Sequence, residues 1–237
     1  MPPETPIVFI VDDDVAVRES LVGLLSAQGW QPEAFSSARG FLAHARARVP
    51  SCLVLDVSLP DLGGLDLQQS VAAEHKVLPV IFITGYGDVA ITVRAMKAGA
   101  VEFLIKPFCE AVLVAAIEQA LERSRAALRR EAELRALRDC YESLSRRERQ
   151  VMSLVISGRL NKQVGDELGI SLITVKAHRG QVMRKMNAGS LPELVTQAAT
   201  LGVAPAHSNR TQAPRVQPLA LTSARVCSKG SSARGRG

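Results

Sequence analysis

The sequence predicts an α/β domain built on a doubly wound, five-stranded parallel sheet, followed by a separate all-α domain of four helices. Three observations predict it. Short apolar runs alternate with amphipathic helical patterns up to about residue 120; capped helical stretches without strand patterns follow from Leu144; and charge is segregated between the two parts.

The strand-like runs are Ile7–Val11, Cys52–Leu55, Val80–Ile83 and Val101–Ile105, with Gln31–Phe35 a weaker candidate. They are nearly continuous in apolar residues rather than alternating, as strands covered on both faces must be. Between them lie helical spacings such as Val17, Leu21, Leu24 and Leu25. Repeated strand–helix units of this kind give a parallel sheet with helices on both faces.

After Pro107 a long helical pattern sets in, with Leu113, Ile117, Leu121, Leu128, Leu134, Leu137 and Tyr141 roughly on one stripe and no Gly or Pro before Gly158. Two readings stand: a fifth helix of the first domain followed by a separate linker, or one continuous helix able to pair with a second copy. Ser124 and Glu131 interrupt the apolar seam that pairing requires. The expected boundaries are residues 1–122 for the first domain, 123–143 for the helical linker and 144–203 for the second domain.

Ser145, with Glu148 three residues on, starts the first helix of that second domain as a capping box. Asn161 is expected to cap the next helix and Gly169 to end it; Ser171 caps a third running to about Asn187, and Leu191–Leu201 makes a fourth. Residues 204–237 are rich in Pro, Ser, Ala, Gly and Arg without apolar periodicity, and read as a disordered basic tail.

The chain of 237 residues has 47% apolar and 22% charged residues, enough to bury two cores. No run reaches the roughly 18 apolar residues of a membrane span, and Met1 to Pro6 has no signal-peptide pattern, so a cytoplasmic protein without membrane partners is expected. The four cysteines lack CxxC spacing and read as reduced thiols. Residues 1–120 hold 14 acids against 8 bases, whereas 144–203 hold 4 against 9 and the tail six bases and no acid. An acidic front and a basic back suit a metal- or phosphate-handling half and a nucleic-acid half.

In an open parallel sheet, chemistry gathers beyond the carboxyl ends of the strands. Asp12, Asp13 and Asp14 follow the first run, Asp56 the third, Thr84 the fourth and Lys106 the fifth. Carboxylates hold a hard cation such as Mg²⁺, which neutralises phosphoryl oxygens during in-line transfer. Asp56 is then the nucleophile, Lys106 supplies a point charge to the acyl phosphate, and the Thr84 hydroxyl donates to a phosphoryl oxygen.

VDDD (Val11 to Asp14), LDVSLPDLGG (Leu55 to Gly64), FITGYGD (Phe82 to Asp88) and AGAVEFLIKPF (Ala98 to Phe108) resemble the receiver domain of response regulators, a flavodoxin-like fold. The resemblance implies that Asp56 accepts a phosphoryl group and that Asp12, Asp13, Asp56 and the Ser58 backbone carbonyl hold Mg²⁺. It further implies that Lys106 precedes a cis Pro107 and that Thr84 and Phe103 form a switch pair; the lesser alternative for Phe103 is a strand core residue. His44 and His75 read as ordinary surface histidines.

LSRRERQVMSLVISGRLNKQVGDELGISLITVKAHRGQVMRKMNAGSLPELV resembles the helix-turn-helix output domain of the LuxR/FixJ class, whose third helix enters the major groove. A helical wheel puts Val175, His178, Val182 and Met186 inside, and Lys176, Ala177, Gly180 and Arg184 outside. By motif position Lys176, Ala177 and Gly180 sit where the family reads bases, while Asn161, Lys162, Ser171, Thr174 and Lys185 are expected at phosphates. Arg179 is ambiguous. Together the halves imply a transcription regulator, with activation the expected direction. The implied partners are a sensor histidine kinase, promoter DNA, RNA polymerase and, on phosphorylation, a second copy. A phosphohydrolase with an aspartyl nucleophile is the rival; that class resembles DxD, and the second acid's place is taken by Ser58. Turnover of its own phosphoryl group is the only catalysis expected.

Overall fold

The computed structural model describes residues 5–204 and 206, apart from 46, 75–77 and 86. The first part alternates strand and helix: β1 (Ile7–Val11), α1 (Val15–Ala27), β2 (Gln31–Phe35), α2 (Ala38–Ala43), β3 (Ser51–Asp56), α3 (Gly64–Glu74), β4 (Val80–Thr84), α4 (Val89–Lys97), β5 (Glu102–Ile105) and α5 (Glu110–Glu142). The strands pair in the order β2-β1-β3-β4-β5, all parallel. The weak candidate Gln31–Phe35 is a strand, at one edge of the sheet, where an exposed and mixed composition is tolerated.

The pleat divides the buried strand residues between two cores. Val8, Ile10, Cys52, Val54, Ile81 and Ile83 pack against Leu21 and Leu25 of α1 and Leu113 and Ile117 of α5. Phe9, Val11, Leu53, Leu55 and Phe82 face Phe41 of α2, Leu67 and Val71 of α3 and Ala95 of α4. Strands covered on both sides explain why the apolar runs in the sequence do not alternate.

α5 is a single helix of 33 residues that crosses the expected 122/123 boundary without a break. The two residues that interrupt its apolar seam have partners in the α/β part. Ser124 is fully buried and its hydroxyl accepts from the Ser51 N–H at 3.1 Å, and Glu131 pairs with Arg48 at 3.0 Å. At its far end, Leu137, Cys140 and Tyr141 pack on the second domain's core.

That domain comprises α6 (Arg146–Ile156), α7 (Asn161–Leu168), α8 (Leu172–Lys185) and α9 (Leu191–Leu201). The capping box at Ser145 and Glu148 is formed, Gly169 ends α7, and Ser171 caps α8. The start of α7 differs from expectation. Leu160 is the N-cap, its N–H held by the Gln163 side chain at 2.9 Å, and Asn161 is the first helical residue. Val151, Leu154 and Val155 of α6 close on Val164 of α7 and Val175 of α8. Gly165 permits the tight α7–α8 turn, because a Cβ there would lie 2.8 Å from the Ile170 carbonyl oxygen. Beyond α9 the Ala206 N–H still donates to the Ser153 carbonyl at 3.2 Å. The remaining residues of the expected tail lie outside the described residues.

Candidate functional site

The sheet order reverses between β1 and β3, which opens a crevice at their carboxyl ends. β1 delivers Asp12 there and β3 delivers Asp56, both buried. Lys106, just past β5, reaches across and donates from Nζ to Asp12 Oδ2 and to Asp56 Oδ2, each at 2.7 Å. The peptide bond from Lys106 to Pro107 is cis, as the resemblance implies.

Backbone amides hold the remaining carboxylate oxygens: Asp14 N–H donates to Asp12 Oδ1 and Ser58 N–H to Asp56 Oδ1, both at 2.9 Å. Burial pushes the Asp12 carboxyl above its ordinary range, against the pull of Lys106 and the Asp14 amide. Burial also pulls the Lys106 ammonium down, but its hydrogen bonds to Asp12 and Asp56 outweigh that, and it is held above its ordinary value.

Ligand oxygens of Asp12, Asp13 and Asp56 lie within 4.8 Å of one another, with Asp13 exposed. Asp12 and Asp56 share one ammonium and Asp13 adds a third carboxylate, so the pocket keeps an excess of negative charge carried on hard oxygen donors. That donor set fits Mg²⁺, and receiver domains generally bind Mg²⁺ at such a cluster. Asp14 stands apart because its side chain caps α1, accepting from the Ala16 N–H at 2.8 Å. Gly64 lets the start of α3 approach β3; a Cβ there would lie 2.6 Å from the Asp56 carbonyl oxygen.

Thr84 ends β4, buried, and its carbonyl accepts from the Lys106 N–H at 2.7 Å. Phe103 is half-buried on the edge strand β5, its ring 6.1 Å from that of Phe82. It therefore packs on the core from the rim. His44, near neither strand end nor acid cluster, pairs with Glu33 at 2.9 Å. Sequence reasoning missed Arg18, whose guanidinium donates to the Asp12 carbonyl at 2.7 Å, and Asp61, whose carboxylate accepts from Ala38 and Arg39 N–H at the start of α2. Backbone hydrogen bonding, first from Arg39, holds the Asp61 carboxyl below its ordinary range. Neither contact leaves a local pattern in the chain.

In the helical domain, Val175, Val182 and Met186 are buried, His178 is half-buried, and Lys176, Ala177, Gly180 and Arg184 are exposed. Lys162 is exposed on α7. Ser171 Oγ accepts the Thr174 N–H at 3.1 Å and lies 2.9 Å from Thr174 Oγ1, so one hydroxyl proton of the pair stays available to a phosphate. The ambiguous Arg179 donates to Asn161 Oδ1 at 3.1 Å and ties α8 to the start of α7.

Lys185, expected at a phosphate, has partners within the domain. Its ammonium donates to Glu148 Oε2 at 2.7 Å and to the Ser143 carbonyl at 3.1 Å. Glu148 is buried in a capping box and needs a countercharge, and Lys185 lies about 20 Å along the helix from its N-terminal turn. The Lys185 hydrogen bond, then the Ser145 amide, holds the Glu148 carboxyl below its ordinary range.

The profile of the response regulator receiver domain matches residues 8–118, and that of bacterial regulatory proteins of the luxR family matches residues 142–198. Nodulation protein W of Bradyrhizobium diazoefficiens is 50% identical over 208 residues, 87% of this chain and 91% of that protein. The transcriptional regulatory protein FixJ of Rhizobium meliloti is 43% identical over 198 residues, 84% of this chain and 97% of its own length. Among solved structures, the response regulator StyR superposes with a TM-score of 0.73 at 45% identity, over 82% of this chain and 98% of that one. Since single relatives match across both halves and over nearly their whole length, the chain belongs to the two-component response regulators of the LuxR/FixJ class.

Proposed function

We propose that Asp56 takes a phosphoryl group from a sensor histidine kinase, that the modified receiver pairs with a second copy, and that the pair binds promoter DNA through α8. The observation that carries this reading is the Lys106 ammonium bridging Asp12 and Asp56 at 2.7 Å each, beside the exposed Asp13. An Asp56 carboxylate oxygen bonds to phosphorus as the P–N bond of a phosphohistidine breaks, and the electron pair leaves with the imidazole. Asp12, Asp13, Asp56 and the Ser58 carbonyl would hold Mg²⁺, which neutralises phosphoryl oxygens when bound. Lys106 shifts from the carboxylates to the new phosphoryl charge, and the Thr84 hydroxyl donates to it. Thr84 moving toward the phosphoryl group lets Phe103 turn inward from the rim.

Exposed apolar side chains on α4, β5 and α5 support pairing through these elements: Val89, Val93 and Met96 of α4, Ile105 of β5 and Val112 of α5. Two symmetric protomers set two recognition helices on adjacent half-sites. Lys176, Ala177 and Gly180 would meet base edges, and Asn161, Lys162, Ser171, Thr174 and Lys185 the phosphates. Activation through RNA polymerase is the proposed direction, and turnover of its own acyl phosphate the only catalysis.

Labelling with acetyl phosphate and Mg²⁺ tests the acceptor. Wild-type protein should gain one base-labile label per chain and Asp56→Asn none, with unchanged circular dichroism. Full labelling of the folded variant would remove Asp56 from its role.

A further inference from the structure

The outward stripe of α8 carries one residue that neither the fold nor the phosphate contacts use. Ile173 is 80% exposed, the most exposed large apolar side chain among the described residues. It lies three, four and seven positions before Lys176, Ala177 and Gly180, all exposed, so these side chains share one face. That face is opposite Val175 and Val182, which are buried.

Several features fit this side chain to a DNA surface. Residues in the first turns of a recognition helix stand nearest the base edges. A Cβ at Gly180 would meet nothing within 4 Å, so the backbone itself is open to close approach and the helix can seat deeply. Isoleucine is stiff at χ1 in a helix, so little side-chain freedom is lost on contact. The apolar group that the major groove offers is the C5-methyl of thymine.

We infer that Ile173 is a specificity-determining residue that reads a thymine 5-methyl group, with Ala177 beside it completing an apolar step along the recognition helix. The inference rests on the reading of α8 as the major-groove helix. Lys176 and the flanking hydroxyls draw the helix to any duplex, whereas Ile173 gains only where a methyl group covers it.

The test uses the full chain treated with acetyl phosphate. Duplexes are first selected from a random pool, then remade with single thymidines replaced by deoxyuridine, which removes only the methyl group. At one thymine in each half-site the replacement should weaken wild-type binding about fourfold, the ratio expected for losing one buried methyl-sized group. Ile173→Ala should bind the thymine and uracil duplexes equally, and Ile173→Val should keep most of the difference; thermal unfolding of both should match wild type. Equal uracil sensitivity of wild type and Ile173→Ala at every position would overturn the assignment, as would a wild type indifferent to all replacements, and would assign Ile173 to a protein contact. Failure to select any sequence would instead overturn the DNA-binding reading, and the proposal with it.

Discussion

Asp12 and Asp56 are two buried carboxylates that share one ammonium, and the acidic pocket depends on that sharing. Removing Lys106 leaves them facing each other without a countercharge. Lys106→Met should therefore lower unfolding free energy by about 3 kcal/mol in metal-free buffer. Adding Asp12→Asn should restore most of it; a double variant no more stable than the single one would contradict this account of the pocket. Glu148 gives a pH-dependent case. A carboxyl lowered by folding adds stability above its ordinary value of 4.5, and that stability is lost as pH falls through the folded value. Glu148→Gln should cost about 2 kcal/mol near neutral pH and flatten the acid limb of the unfolding curve. The acidic residues, Thr84 and Lys106 were legible because each follows an apolar strand run. Lys185 was not: its partner Glu148 lies 37 residues away, and helical periodicity reports a face but not what covers it.

At the scale of elements, α5 connects the two domains. No Gly or Pro interrupts Glu110–Glu142, yet the sequence left two readings open, a fifth helix followed by a separate linker or one continuous helix whose seam pairs with a second copy. Ser124 and Glu131 face the α/β part instead, through Ser51, 73 residues distant, and through Arg48. Such contacts between distant residues leave no mark on local periodicity. Ser124→Ala removes the acceptor of the half-buried Ser51 N–H and should cost about 1–2 kcal/mol in denaturant unfolding. Arg48 and Glu131 are both substantially exposed, so a double-mutant cycle should give a coupling below about 1 kcal/mol. A coupling several times larger would mean that this pair, and not Ser124, fixes the helix on the receiver.

At the scale of the whole molecule, an acidic receiver half and a basic LuxR-type DNA-binding half are joined by one helix packed on both cores. Element order and the five-stranded sheet were legible from apolar runs and caps; which residues carry the signal between domains was not, because that is decided by packing. The central claim is that chemistry at Asp56 sets the DNA affinity of α8. It predicts that sedimentation finds monomers without phosphoryl donor and dimers with it. The most direct measurement is the affinity of the full chain for a selected duplex, with and without acetyl phosphate and Mg²⁺, in wild type and Asp56→Asn. The account predicts a gain of about tenfold or more for wild type alone. Equal affinities in wild type with and without the donor, or the same gain in Asp56→Asn, would contradict it.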